Sequence, residues 1–143
     1  MANNYTETSS FLAIPPEKLT KAKEICVRVE EEIANDESED AIGYCDCHWE
    51  IIRNGSEDGV WFHSDESFSP EHVEKIARAL IEELDLEGEF ICSYCYLCSK
   101  PRVDEFGGGA FILAKGMPTH WVDAQTSCLQ HYKSFKESQG PKQ

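Results

Sequence analysis

Phe90-Ile91-Cys92-Ser93-Tyr94-Cys95-Tyr96-Leu97-Cys98 can be read in two ways, and the choice decides the fold. Taken with period two it is a strand, with Phe90, Cys92, Tyr94, Tyr96 and Cys98 on one face. Ile91, Ser93, Cys95 and Leu97 then fall on the other. Taken as Cys-x2-Cys-x2-Cys it matches the first three ligands of an iron–sulfur run, which continues with three residues, a fourth Cys and Pro. The sequel here is Ser99-Lys100-Pro101, with no cysteine in that position. An extended backbone also points Cys95 away from Cys92 and Cys98. The strand reading is preferred.

Upstream, Ser69-Pro70-Glu71 is a helix start: a capping hydroxyl, proline at the first position and an acid near the positive end of the dipole. Val73, Ile76, Ala77, Leu80, Ile81 and Leu84 follow as its apolar stripe, and Gly88 is placed to end it. Before that helix, Tyr44 to Arg53 alternates cleanly. Cys45, Cys47, Trp49 and Ile51 share one face; Tyr44, Asp46, His48 and Glu50 share the other. Asn54 to Gly59 is turn chemistry, and Val60-Trp61-Phe62-His63 is the returning strand. Earlier still, residues 5–14 read as a strand stopped by Pro15-Pro16. Leu19, Ala22, Cys26, Val29 and Ile33 then recur at helical spacing. The acidic run Asn35 to Asp40 is a loop with nothing to bury.

Downstream, Lys100-Pro101-Arg102 forms a basic turn ahead of Gly107-Gly108-Gly109. Ala110–Lys115 and Thr119–Val122 form a second hairpin across Gly116-Met117-Pro118. Ala124, Cys128, Tyr132 and Phe135 are spaced for a short docked tail helix, with a loose end from Ser138. The expected fold is α+β: a ferredoxin-like split βαβ (βαββαβ) with an antiparallel sheet, an added C-terminal hairpin and a tail helix. One domain is expected over residues 1–143. Its core spans 5–98, the loop and hairpin 99–124, and the tail 125–143.

The chain has 143 residues and a net charge of -14, from 27 acidic against 13 basic side chains. That field repels nucleic acid and anionic membrane and favours a protein with a basic surface. A mean hydropathy of -0.47 and no apolar run of about 18 residues or more argue against a membrane span. The N-terminus carries no visible secretory signal, and seven cysteines are an odd number for a disulfide framework. A cytoplasmic protein with buried, reduced thiols is expected, without cofactor or metal.

Zinc would need thiolates paired in knuckles, whereas Cys45 and Cys47 fit the core face of their own strand. Three candidate sites remain. The open sheet face with Tyr44, Asp46, His48 and Glu50 is either wet, covered by the tail, or a partner-binding surface. Lys100, Arg102 and the backbone of Gly107, Gly108 and Gly109 form a place for a small anionic ligand. The glycine run lacks the lysine-and-hydroxyl ending of a P-loop and is also the kind of place where two backbones approach closely. His48 and His63 with nearby carboxylates are the residues a metal-dependent enzyme would use.

The segment Cys98-Ser99-Lys100-Pro101-Arg102 followed by Glu105-Phe106-Gly107-Gly108-Gly109-Ala110 resembles one in small, uncharacterised proteins of phages and bacterial mobile elements. The resemblance extends over roughly residues 44–122 and carries no assigned chemistry. It implies a context in which small acidic proteins block a host defence factor by contact. The first expectation is therefore a non-enzymatic binding protein of that kind. A sequestering domain for an anionic ligand is the alternative, and the metal-dependent enzyme comes third. The sequence leaves a homo-oligomer open.

Overall fold

Six strands and three helices build the chain in the computed structural model, which describes residues 4–100 and 106–140. The strands are β1 (Asn4–Ala13), β2 (Trp49–Ile52), β3 (Gly59–Ser64), β4 (Glu89–Cys98), β5 (Gly107–Ala114) and β6 (Met117–Asp123). The helices are α1 (Leu19–Ala34), entered through a 3-10 turn at Pro16–Lys18, then α2 (Pro70–Glu83) and α3 (Ala124–Gln139). The architecture is α+β, with one antiparallel sheet in the order β2-β3-β1-β4-β5-β6. None of the described helices is long and apolar enough to cross a membrane.

One face of the sheet is sealed by α1 and α2. Alternation sends Leu12, Val60, Phe62, Phe90, Cys92, Phe111 and Leu113 inward, where they meet Ile25, Cys26, Val73, Ile76, Leu80 and Ile81. Ser10 lies opposite Phe62 on the central strand, and its small side chain lets the Phe62 and Phe90 rings meet at 5.6 Å. Phe90 in turn meets Phe111 at 5.9 Å, so an aromatic row runs through the core. The polar exceptions are Ser10 and Thr8, and the Thr8 hydroxyl donates to the Ser93 carbonyl at 2.7 Å. A buried hydroxyl satisfied in this way avoids the cost of an orphaned polar atom.

Local chemistry sets the helix ends. The Ser69 side chain accepts from the His72 amide, as the Ser-Pro start predicts. At the other end Gly88 is not the terminator. Asp85 takes the left-handed conformation (φ 53°), the Leu86 amide donates to the Ile81 carbonyl, and Lys18 Nζ donates to the Leu84 carbonyl. The helix therefore closes earlier than glycine placement alone suggests, with Asp85 making the left-handed turn and a lysine from the 3-10 turn satisfying the Leu84 carbonyl.

The β5–β6 hairpin continues the sheet beyond β4 and is also tied to α2. Arg78 donates to the Ala114 carbonyl (2.9 Å) and to Thr119 Oγ1 (2.8 Å), while ion-pairing with Glu74 and Glu82. Helix α3 forms where its periodicity places it and is capped by Asp123, whose carboxylate accepts from the Thr126 amide. It is not docked. Every one of its residues is exposed, including Leu129, Tyr132 and Phe135.

Candidate functional site

Among the described residues, no helix buries the second face of the sheet. Cross-strand register builds it row by row: Glu50 beside Trp61 beside Phe11 on β2, β3 and β1, and Ile91 beside Ile112 beside His120 on β4, β5 and β6. A third row sets Ser93 beside Ala110 beside Val122. Phe11, Ile91 and Val122 are 39%, 51% and 40% exposed, so large apolar side chains meet solvent on three separate strands. Contiguous exposed apolar patches mark interaction surfaces more often than scattered single residues do.

The formally charged residues that the strands place on this face have one sign. Glu7, Glu50 and Glu89 project from β1, β2 and β4, and the six strands contain no lysine or arginine. The polar corner near β2 is organised by Trp61, whose Nε1 donates to Ser9 Oγ at 2.9 Å and whose ring stacks on His63 at 4.0 Å. His63 Nε2 is shielded from solvent without a hydrogen bond and sits 3.8 Å from the Glu50 carboxylate. His48 stacks beyond it with ring centroids 6.3 Å apart. With Glu30, Cys47 and Trp49, the side chains of His48, Glu50 and His63 line a hollow of about 300 Å³. Among the described residues, no three His, Cys, Asp or Glu side chains are arranged to hold a metal ion.

The four partner-binding residues taken from the Tyr44–Arg53 alternation do not stay together. Only Glu50 belongs to the strand, because β2 begins at Trp49. Residue 46 spends its backbone on the start of α2: the Asp46 amide donates to His72 Nδ1 at 3.0 Å, and its carbonyl accepts from the Ser69 amide at 2.7 Å. Those bonds replace ladder pairing, and Tyr44 is left exposed in the loop before it. His48 reaches β3 by a single backbone bond from the His63 amide to its own carbonyl. Cys47 still packs into the core and Cys45 packs half-buried against it, so the alternation predicts sidedness correctly even where the strand is absent.

The glycine run lies inside the ladder. Gly107, Gly108 and Gly109 pair with Tyr96, Cys95 and Tyr94 of β4, and Gly109 also pairs with Asp123 of β6. A Cβ on Gly109 would sit 2.4 Å from the Val122 carbonyl oxygen and 2.9 Å from the Tyr94 hydroxyl. Tyr94 thus lies over a bare backbone, an arrangement in which an aromatic ring covers a strand glycine. Lys100 is exposed just past β4, and Arg102 falls outside the described residues.

The thiols of Cys26, Cys47 and Cys92 are poor nucleophiles. Burial pushes the Cys26 thiol up to about 12 and also raises Cys92. Cys47 is raised as well, by its hydrogen bond with Cys45 and by burial. A thiol held protonated is inert at neutral pH. None of the seven cysteines is in a disulfide, and Cys128 on α3 is exposed.

The residues missed by pattern alone are Phe11, Ile91 and Val122. Each was visible as the apolar outer member of an alternating strand, a signal that points to a covered or contacted second face. Comparison with protein-family models, curated proteins and solved structures finds no match.

Proposed function

We propose that this chain is a non-enzymatic binding protein that presents its open sheet face to a protein whose contact surface is basic around an apolar centre. One observation carries the reading: six strands free of lysine and arginine, with Glu7, Glu50 and Glu89 projecting around Phe11, Ile91 and Val122. Apolar residues supply the area that binding buries, and carboxylates select and steer a cationic partner. The same carboxylates disfavour phosphate backbones and anionic lipid. The resemblance of residues 44–122 to phage and mobile-element proteins makes a host defence factor the class of partner, with inhibition by contact. The order β2-β3-β1-β4 with a helix after β1 and after β3 supports reading the first six elements as a ferredoxin-like split βαβ. In that arrangement the uncovered face is a ready platform for another protein.

The test is capture from bacterial extract by immobilised protein, with the bound protein identified and coupled to the bait by a carbodiimide that joins lysines directly to carboxylates. Cross-links from partner lysines to Glu7, Glu50 or Glu89 are expected. Capture should fall by about tenfold or more in Ile91→Lys and between about 0.05 M and about 0.5 M salt. Capture indifferent to both, or cross-links confined to α1 and α2, would overturn the proposal.

A further inference from the structure

The unpartnered helix α3 and the open sheet face are complementary, and we infer that α3 of one copy docks on the open sheet face of a second copy. The inference rests on reading that face as a docking surface and names a second occupant for it.

Helix α3 has 16 residues, none buried, yet it carries Leu129, Tyr132 and Phe135 at 52%, 56% and 56% exposure. These positions are three apart, so they form a single stripe along the helix. Thr126, Ser127, His131 and Ser134 make the segment an indifferent helix former, and an isolated helix of this length is marginal in water. Among the described residues, the bonds that tie it to the rest of its own chain lie near its start: the Asp123 cap and a bond from Gln125 Nε2 to the Phe106 carbonyl. The stripe needs a surface that its own sheet does not supply.

Charge identifies that surface. Of the 27 acidic residues only Glu137 lies beyond Asp123, against Lys133, Lys136 and Lys142. The tail is thus locally cationic on a strongly anionic protein. Lys133 lies four residues from Leu129, and Lys136 four from Tyr132, so both flank the apolar stripe. The open face offers the complement: apolar Phe11, Ile91 and Val122 with Glu7, Glu50 and Glu89 and no lysine or arginine. Size agrees as well. Sixteen residues at about 1.5 Å each give a helix about 24 Å long, and six strands about 4.8 Å apart span about 24 Å.

Sedimentation equilibrium of the full chain and of two full-length variants tests this, with circular dichroism confirming that each variant folds. The wild type is expected to self-associate at micromolar concentration. Tyr132→Asp with Phe135→Asp (a dead tail) and Ile91→Lys (a dead face) should each weaken association by about tenfold or more. Mixing the two variants should restore association, because an intact face meets an intact tail once in each pair. A wild type that stays monomeric throughout would overturn the inference. So would a dimer lost in the tail variant but untouched by Ile91→Lys and not rescued by mixing, since α3 would then pair with α3. Either result leaves capture of a basic partner to stand or fall on the cross-links described above.

Discussion

The two faces of the sheet are made by the same alternation from the same strands, yet they have opposite fates. Phe90 is 1% exposed and Ile91, its neighbour in sequence, is 51% exposed. Nothing in the strand itself separates them; two amphipathic helices on one side do. Helix α2 buries Val73, Ile76, Ala77, Leu80 and Ile81 against the inner face, whereas α3, with an apolar stripe of its own, buries nothing. An apolar stripe thus states a need for a partner and does not say which surface meets it.

Substitution at equivalent positions on the two faces should break that symmetry most strongly. Phe90→Ala opens a cavity between Phe62 and Phe111 and should cost about 3–5 kcal/mol in urea unfolding. Phe11→Ala, on the open face, should cost less than about 1 kcal/mol. Comparable losses at both positions would mean that the outer face is covered within the monomer.

The next effect lies in the glycine run, where neighbouring residues differ in what stands above them. Gly109→Ala drives a methyl group into the Val122 carbonyl and the Tyr94 hydroxyl and should cost about 1–3 kcal/mol. Gly107→Ala meets its nearest atom, in the Tyr96 ring, at an ordinary 3.7 Å and should stay within about 0.5 kcal/mol. Equal effects at the two sites would remove the close-approach explanation for the run.

Helix caps sharpen the contrast between α2 and α3. Ser69→Ala should lower global stability by about 1 kcal/mol, because α2 is part of the core. Asp123→Ala removes a cap of the same type from a helix that buries nothing. It should reduce far-ultraviolet helical signal while leaving the thermal midpoint of the monomer unchanged.

The smallest expected effect is a pH dependence set by His72. Burial, assisted by Lys75, lowers its pKa, and Nδ1 accepts the Asp46 amide bond, which requires an unprotonated nitrogen. With the folded pKa below the unfolded one, the native state binds fewer protons. Its contribution is fully present above the unfolded value of about 6.5 and is lost as pH falls through the folded value. His72→Gln should flatten stability between about pH 7 and about pH 5. An unchanged slope would assign the pH dependence to other groups.

Much of this architecture was legible in residue order. Both amphipathic helices fall where spacing puts them, and alternation sends Phe90, Cys92 and Cys98 of β4 inward and Ile91 and Ser93 outward, as observed. What pattern could not supply was competition for backbone groups over distance. Residues 44–48 alternate as well as any strand, but Asp46 is claimed by Ser69 and His72 from across the fold. Lys18 closes α2 from 66 positions away, ahead of the glycine that local rules favour. The candidate site was legible in sign and not in place. Acidity pointed to a cationic partner, while Phe11, Ile91 and Val122 became one surface only once the strand order brought their strands into one sheet.

Arg78 gives the added hairpin a consequence for how the molecule comes apart. Its guanidinium joins α2 to the Ala114 carbonyl and the Thr119 hydroxyl, while Phe111 and Leu113 of β5 complete the buried cluster. A chain cut after Cys98 would lose those two side chains from its interior and leave a half-buried cation facing absent acceptors. Residues 107–123 therefore belong to the same cooperative unfolding unit as the strands before them, and the boundary between foldons lies at Asp123, where α3 can melt alone.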